Sequence, residues 1–252
     1  MSTTVITARN LVKRYNRHTA VNGIDFDVFK GEVFGLLGPN GAGKTTTVLM
    51  MLGLTDITDG RLDILGLDPR RQALAVKEKI GYMPDSVGFY DNMTARENLV
   101  YTARLLGLNA NQRKARIEQA LARVRLLDRA DDRVSTFSHG MKRRLGLAEI
   151  VLKQAEIAIL DEPTSGLDPQ STEDFLQLIE SLKADGVTII LSSHLLNQVQ
   201  RICDRVALFH AGRIGLMGTL EELAQQIVPR GLPADMELDA LYRRYFEQEA
   251  QA

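Results

Sequence analysis

Tryptophan is absent, cysteine occurs once and histidine four times. One thiol rules out an internal disulfide, and so few imidazoles and thiols form no cluster with metal-ligand spacing. No apolar run approaches 18 residues, so the chain is not expected to cross a bilayer itself. The first residues, Met-Ser-Thr-Thr-Val, lack the pattern of a secretory leader, and a cytosolic protein is expected. An excess of charge of one sign is also lacking. Lys and Arg total 31, Asp and Glu 32, and the formal net charge is −1. Bulk electrostatics therefore gives no reason for a nucleic-acid partner. No internal repeat or low-complexity segment occurs. What remains is an average globular composition of 252 residues, 44% hydrophobic and 25% charged. That length supports a sizeable core with room for an inserted subdomain.

Against this plain background one segment stands out. Gly38-Pro39-Asn40-Gly41-Ala42-Gly43-Lys44-Thr45-Thr46 fits G-x-x-x-x-G-K-[ST]. It follows an apolar run, Val33–Leu37, that reads as a strand, and precedes Val48–Leu52, which reads as a helix. Strand, loop and helix in that order are the context a phosphate-binding loop needs. Glycines let the backbone fold around an anion, and the helix start supplies partial positive charge. Lys44 then reaches the β- and γ-phosphates, and Thr45 offers a hydroxyl to Mg²⁺.

A second segment, Ile157-Ala158-Ile159-Leu160-Asp161-Glu162-Pro163, is a buried-strand run ending in two carboxylates. Ligands of parallel sheets gather at the carboxyl ends of strands. Asp161 is therefore expected beside the P-loop, holding Mg²⁺ through water, and Glu162 is expected to point at the γ-phosphate. Two adjacent acids there would be costly without cations or hydrogen bonds.

Three further segments complete the set: Phe137-Ser138-His139-Gly140-Met141-Lys142-Arg143-Arg144-Leu145, Ser165-Gly166-Leu167-Asp168-Pro169 and Leu191-Ser192-Ser193-His194. In this order the motifs resemble the nucleotide-binding subunit of ABC (ATP-binding cassette) transporters, over about residues 5 to 225. The nearest likeness is to ATPase subunits paired with ABC-2-type membrane proteins. The resemblance implies an α/β fold: a P-loop NTPase core of mostly parallel sheet flanked by helices, an antiparallel β subdomain and an inserted helical subdomain. It implies ATP and Mg²⁺ as ligands. It also implies a second ATP-binding subunit, expected to be a copy of this chain, and a separate integral membrane permease. The chain would sit at the cytoplasmic face of the membrane and hydrolyse ATP to drive transport, with export favoured.

The resemblance also carries residue roles. Tyr15 takes the place of the aromatic that stacks on adenine. Gly38, Asn40, Gly41, Gly43, Lys44, Thr45 and Thr46 bind the phosphates. Asp161 and Thr45 support the metal, Glu162 is the general base, and His194 is the switch residue at the γ-phosphate. Ser138 and Gly140 serve the ATP of the opposite subunit, and Asp168 lies in the turn that links the two sites. Ser138 also reads as an ordinary helix cap, which is compatible with anion binding.

Three positions depart from the family pattern. Ile80-Gly81-Tyr82-Met83-Pro84-Asp85 puts Asp85 where the family has a glutamine that contacts Mg²⁺ and water. An aspartate keeps an oxygen for a hard metal, loses the amide donor and adds negative charge. Pro84-Asp85 also reads as a simple turn. His139 replaces the first signature glycine, and Met141 replaces the signature glutamine.

The alternation over residues 3 to 37 suggests strands, with Asn22-Gly23 as a turn between two of them. Residues 61 to 85 suggest a strand, a helix and a strand. Helical spacing runs from Thr94 to about Leu127, broken at Gly107-Leu108-Asn109, and the helical subdomain is expected over about 86–150. Strands are expected at 157–161, 187–192 and 205–210. The basic residues Arg113, Lys114, Arg116, Arg123 and Arg125 read as a solvated helix face. Cys203, at helical spacing after Val199, reads as a small buried apolar residue. The nucleotide-binding domain is expected over 3–230. Within 231–252, Leu238, Leu241, Tyr242, Tyr245 and Phe246 form the stripe of an amphipathic helix.

A soluble ABC-type ATPase of translation or DNA maintenance is the alternative. The translation group carries two P-loops and the DNA group a long coiled-coil insertion. This chain has one P-loop, and Thr45 and Asp161 are too close for that insertion. A nucleoside-phosphate kinase would have no use for the signature segment.

Overall fold

A computed structural model describes residues 3–195 and 201–227, and the expected helix at 231–252 lies outside the described residues. Two sheets organise the chain. β1 (Thr4–Tyr15), β2 (His18–Phe29) and β4 (Asp59–Ile64) form an antiparallel sheet in the order β2-β1-β4. β3 (Val33–Leu37), β5 (Ile80–Met83), β6 (Ile157–Asp161), β7 (Thr188–Ser193), β8 (Arg205–His210) and β9 (Arg213–Gly218) form a second sheet. Its order is β5-β6-β7-β3-β8-β9, parallel except for the β8–β9 hairpin. Every residue of β3, β6 and β7 is buried, which is why these segments read as unbroken apolar runs rather than alternating ones.

The parallel sheet has a separate core on each face. One packs it against the antiparallel sheet and α1 (Lys44–Met51), through Phe26, Phe34, Val48, Met51, Ile159 and Ile190. Phe26 and Phe34 stack with ring centroids 5.9 Å apart. The other core joins α3 (Ala95–Leu105), α4 (Ala110–Arg123), α5 (His139–Lys153) and α6 (Pro169–Ala184) through Leu99, Leu121, Leu147, Leu160, Phe175 and Leu191. Smaller elements are α2 (Ala73–Lys79) and α7 (Leu220–Ile227).

The helix boundaries follow from caps. Thr94 and Asn109 each form a reciprocal capping box, with Glu97 and Gln112 respectively, and these start α3 and α4 on either side of the Gly107 break. Ser138 accepts a hydrogen bond from Met141 N at 3.2 Å and starts α5. The mostly parallel sheet, antiparallel sheet and helices match the expected fold class.

Three local expectations fail. Asn22-Gly23 is not a turn between strands but lies inside β2; the turn is at Asn16-Arg17. Val12 pairs with Asn22 and Leu11 with Ile24, so Gly23, at φ +68°, is the extra residue of a β-bulge. The bulge frees Asn22 N–H to reach the Gly212 carbonyl at 2.8 Å, stitching the two sheets together. The basic run is also not simply solvated. Arg123 donates to the Ser181 carbonyl at 2.7 Å and pairs with Asp185, while Arg125 lies 3.9 Å from Asp174, so they tie α4 and the turn after it to α6. Cys203 stands in the connection after a turn at Arg201-Ile202, immediately ahead of β8, and not in a helix. It is half-buried and packs against the main core, and burial pushes its thiol up to about 12.

Candidate functional site

The sheet order puts β3 between β7 and β8, with β6 next to β7. Leu36, Ser192 and Asp161 stand level across three strands, so the loops leaving β3, β6 and β7 emerge side by side. Those after β3 and β6 meet, together with the loop after β5, in a cleft of about 610 Å³ lined by Tyr15, Asn40, Gly41, Gly43, Lys44, Thr45, Thr46, Asp85, Asp161 and Glu162; His194, after β7, does not line it. His18 and Ala20 of β2 also line it, and sequence reasoning missed both. His18 pairs with Tyr15 across the β1–β2 hairpin, and no local motif announces that this hairpin borders the P-loop cleft.

The P-loop needs its glycines for two close approaches. A Cβ on Gly38 would come within 2.3 Å of the Phe209 carbonyl oxygen, and one on Gly43, at φ +106°, within 2.6 Å of the Ala20 carbonyl oxygen. Gly38 N–H donates to the Ser193 carbonyl at 3.1 Å, anchoring the loop to β7. Lys44 is 5% exposed. Its ammonium donates to the Gly38 carbonyl at 2.7 Å and the Pro39 carbonyl at 3.1 Å, and lies 3.7 Å from Glu162 Oε1. Burial lowers the pKa of Lys44, and the carboxylates of Glu162 and Asp161 oppose that shift. Thr45 is exposed at the start of α1.

Asp161 is buried and accepts a hydrogen bond from Ser192 Oγ, its register neighbour on β7. Glu162 adopts a left-handed backbone, φ +48°, while its N–H donates to the Ser192 carbonyl at 2.9 Å. That conformation is sparsely populated for a non-glycine residue and turns the chain sharply at the strand end. His194 Nδ1 lies 2.8 Å from Glu162 Oε2, and the His194 backbone N–H reaches the same oxygen at 3.3 Å. The histidine is thus joined to the carboxylate that lines the cleft.

Tyr15 ends β1 and is 44% exposed. Its hydroxyl lies 3.3 Å from Thr55 Oγ1, and the Lys13 ammonium stands 4.7 Å from its ring centroid. Asp85 follows β5 by two residues and lines the cleft, with its side chain 61% exposed. Its Oδ1 accepts from Arg143 Nη2 at 3.1 Å. Arg143 is a third residue missed from sequence. Its signal was its place on α5: 143, 147 and 150 lie on one helical face with Leu147 and Ile150, so a guanidinium occupies a core register.

Ser138 and Gly140 do not line this cleft. They stand at the start of α5, beside the start of α6. Asp168 caps α6, accepting from Ser171 N at 3.0 Å and Ser171 Oγ at 2.5 Å, and these bonds lower its pKa. A Cβ on Gly140 would meet Ser171 Oγ at 3.2 Å, and His139 Nε2 lies 3.2 Å from the Ser165 carbonyl oxygen. The signature and the Gly-Leu-Asp turn therefore form one surface, separate from the P-loop cleft.

Among the described residues no three His, Cys, Asp or Glu side chains cluster as metal ligands. The cleft does hold hard oxygen donors: the buried Asp161 carboxylate, the exposed Thr45 hydroxyl and the Asp85 carboxylate. Such a set fits Mg²⁺, which takes one or two carboxylates and completes its shell with substrate phosphates and water.

The family described as ABC transporter matches residues 21–165. The chain is 38% identical over 223 residues to the linearmycin resistance ATP-binding protein LnrL of Bacillus subtilis (strain 168), covering 88% of this chain and 72% of that protein. It is 39% identical over 213 residues to the Nod factor export ATP-binding protein I of Burkholderia orbicola (strain AU 1054), covering 84% and 70%. A solved ATP-binding subunit of an ABC transporter superposes with a TM-score of 0.84 at 30% identity, covering 96% of this chain and 99% of that one.

Proposed function

The chain belongs to the ABC transporter family as its ATP-hydrolysing subunit, and from that premise we propose that two copies close on ATP and drive a separate membrane permease in export. The observation that carries the reading is the separation of two surfaces. Lys44, Thr45, Asp161 and Glu162 line one cleft, and Ser138, Gly140 and Asp168 stand elsewhere at two helix starts. A helix start offers unpaired N–H groups to an anion, but here its own cleft is out of reach. A second copy would bring that surface to the first copy's nucleotide.

Within the cleft, the P-loop amides and Lys44 would hold the phosphates, and Tyr15 would stack on the base. Thr45, Asp161 and Asp85 would hold Mg²⁺, which would supply charge neutralisation at the β- and γ-phosphates. Glu162, kept in its strained turn, would accept a proton from the attacking water. The 2.8 Å contact between His194 and Glu162 would orient that carboxylate and carry the state of the γ-phosphate to β7.

The permease is assigned to a different surface. Leu52, Leu54, Leu105, Leu106 and Ile150 wall a groove of about 490 Å³ between α1, β5, α3 and α5. It includes Glu149, Ile150 and Lys153 of α5, the helix that begins at the signature, so an inserted segment of the permease would feel the movement of that helix. No helix among the described residues is long and apolar enough to cross a membrane, and the permease would hold the chain at the cytoplasmic face. The names of LnrL and the Nod factor protein, a resistance protein and an export protein, favour export.

The test is concentration dependence. ATPase rate should rise more than linearly with protein concentration, and sedimentation of Glu162→Gln should show a dimer with Mg-ATP and a monomer without. A linear rate over a range where the chain sediments as a monomer would mean that the signature does not act on a second copy's nucleotide.

A further inference from the structure

Arg143 is 1% exposed and is among the largest fully buried side chains of the described residues. Nη2 donates to Asp85 Oδ1 at 3.1 Å, and Nη1 donates to the Pro84 carbonyl at 3.2 Å. Nε is buried without a hydrogen-bond partner among the described residues. A guanidinium so far from water is costly, and its ion partner is a carboxylate that remains 61% exposed in the cleft. The arrangement is lopsided: the cation is locked in the core while the anion faces the ligand.

The surrounding packing fixes that lock. One turn along α5, a Cβ on Gly146 would stand 3.1 Å from both Met83 Sδ and Val87 Cγ1. The helix therefore lies directly on the segment that carries Asp85. An aspartate in this place has two difficulties. It adds negative charge where the γ-phosphate would lie, and its short side chain must be aimed from a loop. Arg143 answers both: its charge offsets the carboxylate, and its two-pronged hold on Asp85 and Pro84 fixes the loop.

We propose that Arg143 is a positioning residue for the phosphate end of the cleft, holding Asp85 in place and screening its charge so that Mg-ATP can bind. The proposal rests on the reading of this cleft as a Mg-ATP site. It also gives Asp85 a rigid connection to the signature, because Ser138 caps the same helix five residues before Arg143.

The experiment is a double-mutant cycle on the full chain, read as nucleotide affinity and not as turnover. Mg-ATP is titrated calorimetrically in the Glu162→Gln background, at high and at limiting Mg²⁺, and the melting temperature of each variant is recorded. Arg143→Met, which nearly preserves volume, should weaken Mg-ATP binding about tenfold by leaving the Asp85 carboxylate unscreened, with the larger loss at limiting Mg²⁺. Adding Asp85→Gln should restore most of that affinity, because the unscreened charge is then gone. A purely structural role would lower the melting temperature and give no such rescue. Unchanged affinity in Arg143→Met overturns the proposal. So does an equal loss with and without Asp85→Gln. If Arg143→Met does not fold, Arg143→Lys keeps the charge and loses the second prong; it should show a smaller loss with the same rescue, and no loss overturns the proposal. A parent chain that fails to bind Mg-ATP would instead remove the cleft assignment.

Discussion

Lys44 and Asp161 are 5% and 4% exposed and lie enclosed where the P-loop meets the end of β6, whereas Ser138 and Asp168 are exposed caps at the starts of two helices. The first pair is held by the Gly38 and Pro39 carbonyls, by Glu162 and by Ser192, all on neighbouring segments. The second is held by little more than its own helix and Ser171. Side chains enclosed by neighbouring segments suit a stiff phosphate cradle, while exposed helix caps leave a surface free to meet another molecule. Under the proposed function this contrast would divide the work: one end of the apparatus would bind, and the other would respond to what a second copy has bound.

The largest effects should come from the cleft, and two variants separate its tasks. Lys44→Ala should abolish measurable ATP binding, since the buried cation at the cleft floor is gone. Glu162→Gln should keep ATP binding and lose roughly 10²–10⁴ in turnover, the usual cost of removing a general base. Equilibrium titration and steady-state hydrolysis check the pair. Turnover near the parent rate in Glu162→Gln would remove that carboxylate from the mechanism, and unchanged affinity in Lys44→Ala would break the cleft's side of the comparison.

A smaller effect is expected at the helix starts. Gly140→Val would press branched carbons on Ser171, whose nearest atom lies 3.2 Å from a first Cβ. The isolated chain should still bind ATP while turnover falls on the order of tenfold to a hundredfold, as expected for misplaced partner groups. Loss of nucleotide binding by the monomer would mean that the two ends are not separate.

The smallest effect concerns the groove assigned to the permease, where Glu149 lies beside Ile150. Burial raises the pKa of Glu149, and a hydrogen bond from Thr102 Oγ1 at 2.5 Å opposes the shift. A raised carboxyl favours the folded state while it is protonated, and that contribution fades as pH rises through the folded pKa. Glu149→Gln should therefore melt on the order of 2 °C higher than the parent at about pH 8, with the gain vanishing near pH 4. Thermal scans at the two pH values check it. Equal gains at both would mean that charge at Glu149 is not the cause.

How far the chain could be read beforehand depended on how local each signal was. β3, β6 and β8 have the bounds expected for them because each is built on a local apolar run, and the break between α3 and α4 falls at Gly107-Leu108-Asn109 because caps are local chemistry. The P-loop and Asp161-Glu162 were legible for the same reason, and β6 next to β7 explains why they meet. The bulge at Gly23 was not legible, since it exists only in the pairing of Val12 with Asn22 and Leu11 with Ile24. His18 was hidden because its relation to the cleft depends on a hairpin. Arg143 was hidden because its partner, Asp85, lies 58 residues away.

The single cysteine has a practical consequence. A Cβ on Gly35 would stand 3.0 Å from Cys203 Sγ, so the sulfur is seated against the central strand β3. Burial pushes its thiol up to about 12, well above an ordinary cysteine, so little thiolate forms near neutral pH. Maleimide and methanethiosulfonate reagents would therefore pass it by in the folded chain. A cysteine introduced on the exposed α3 or α4 surface would take a fluorophore or spin label alone, without first engineering the native thiol away.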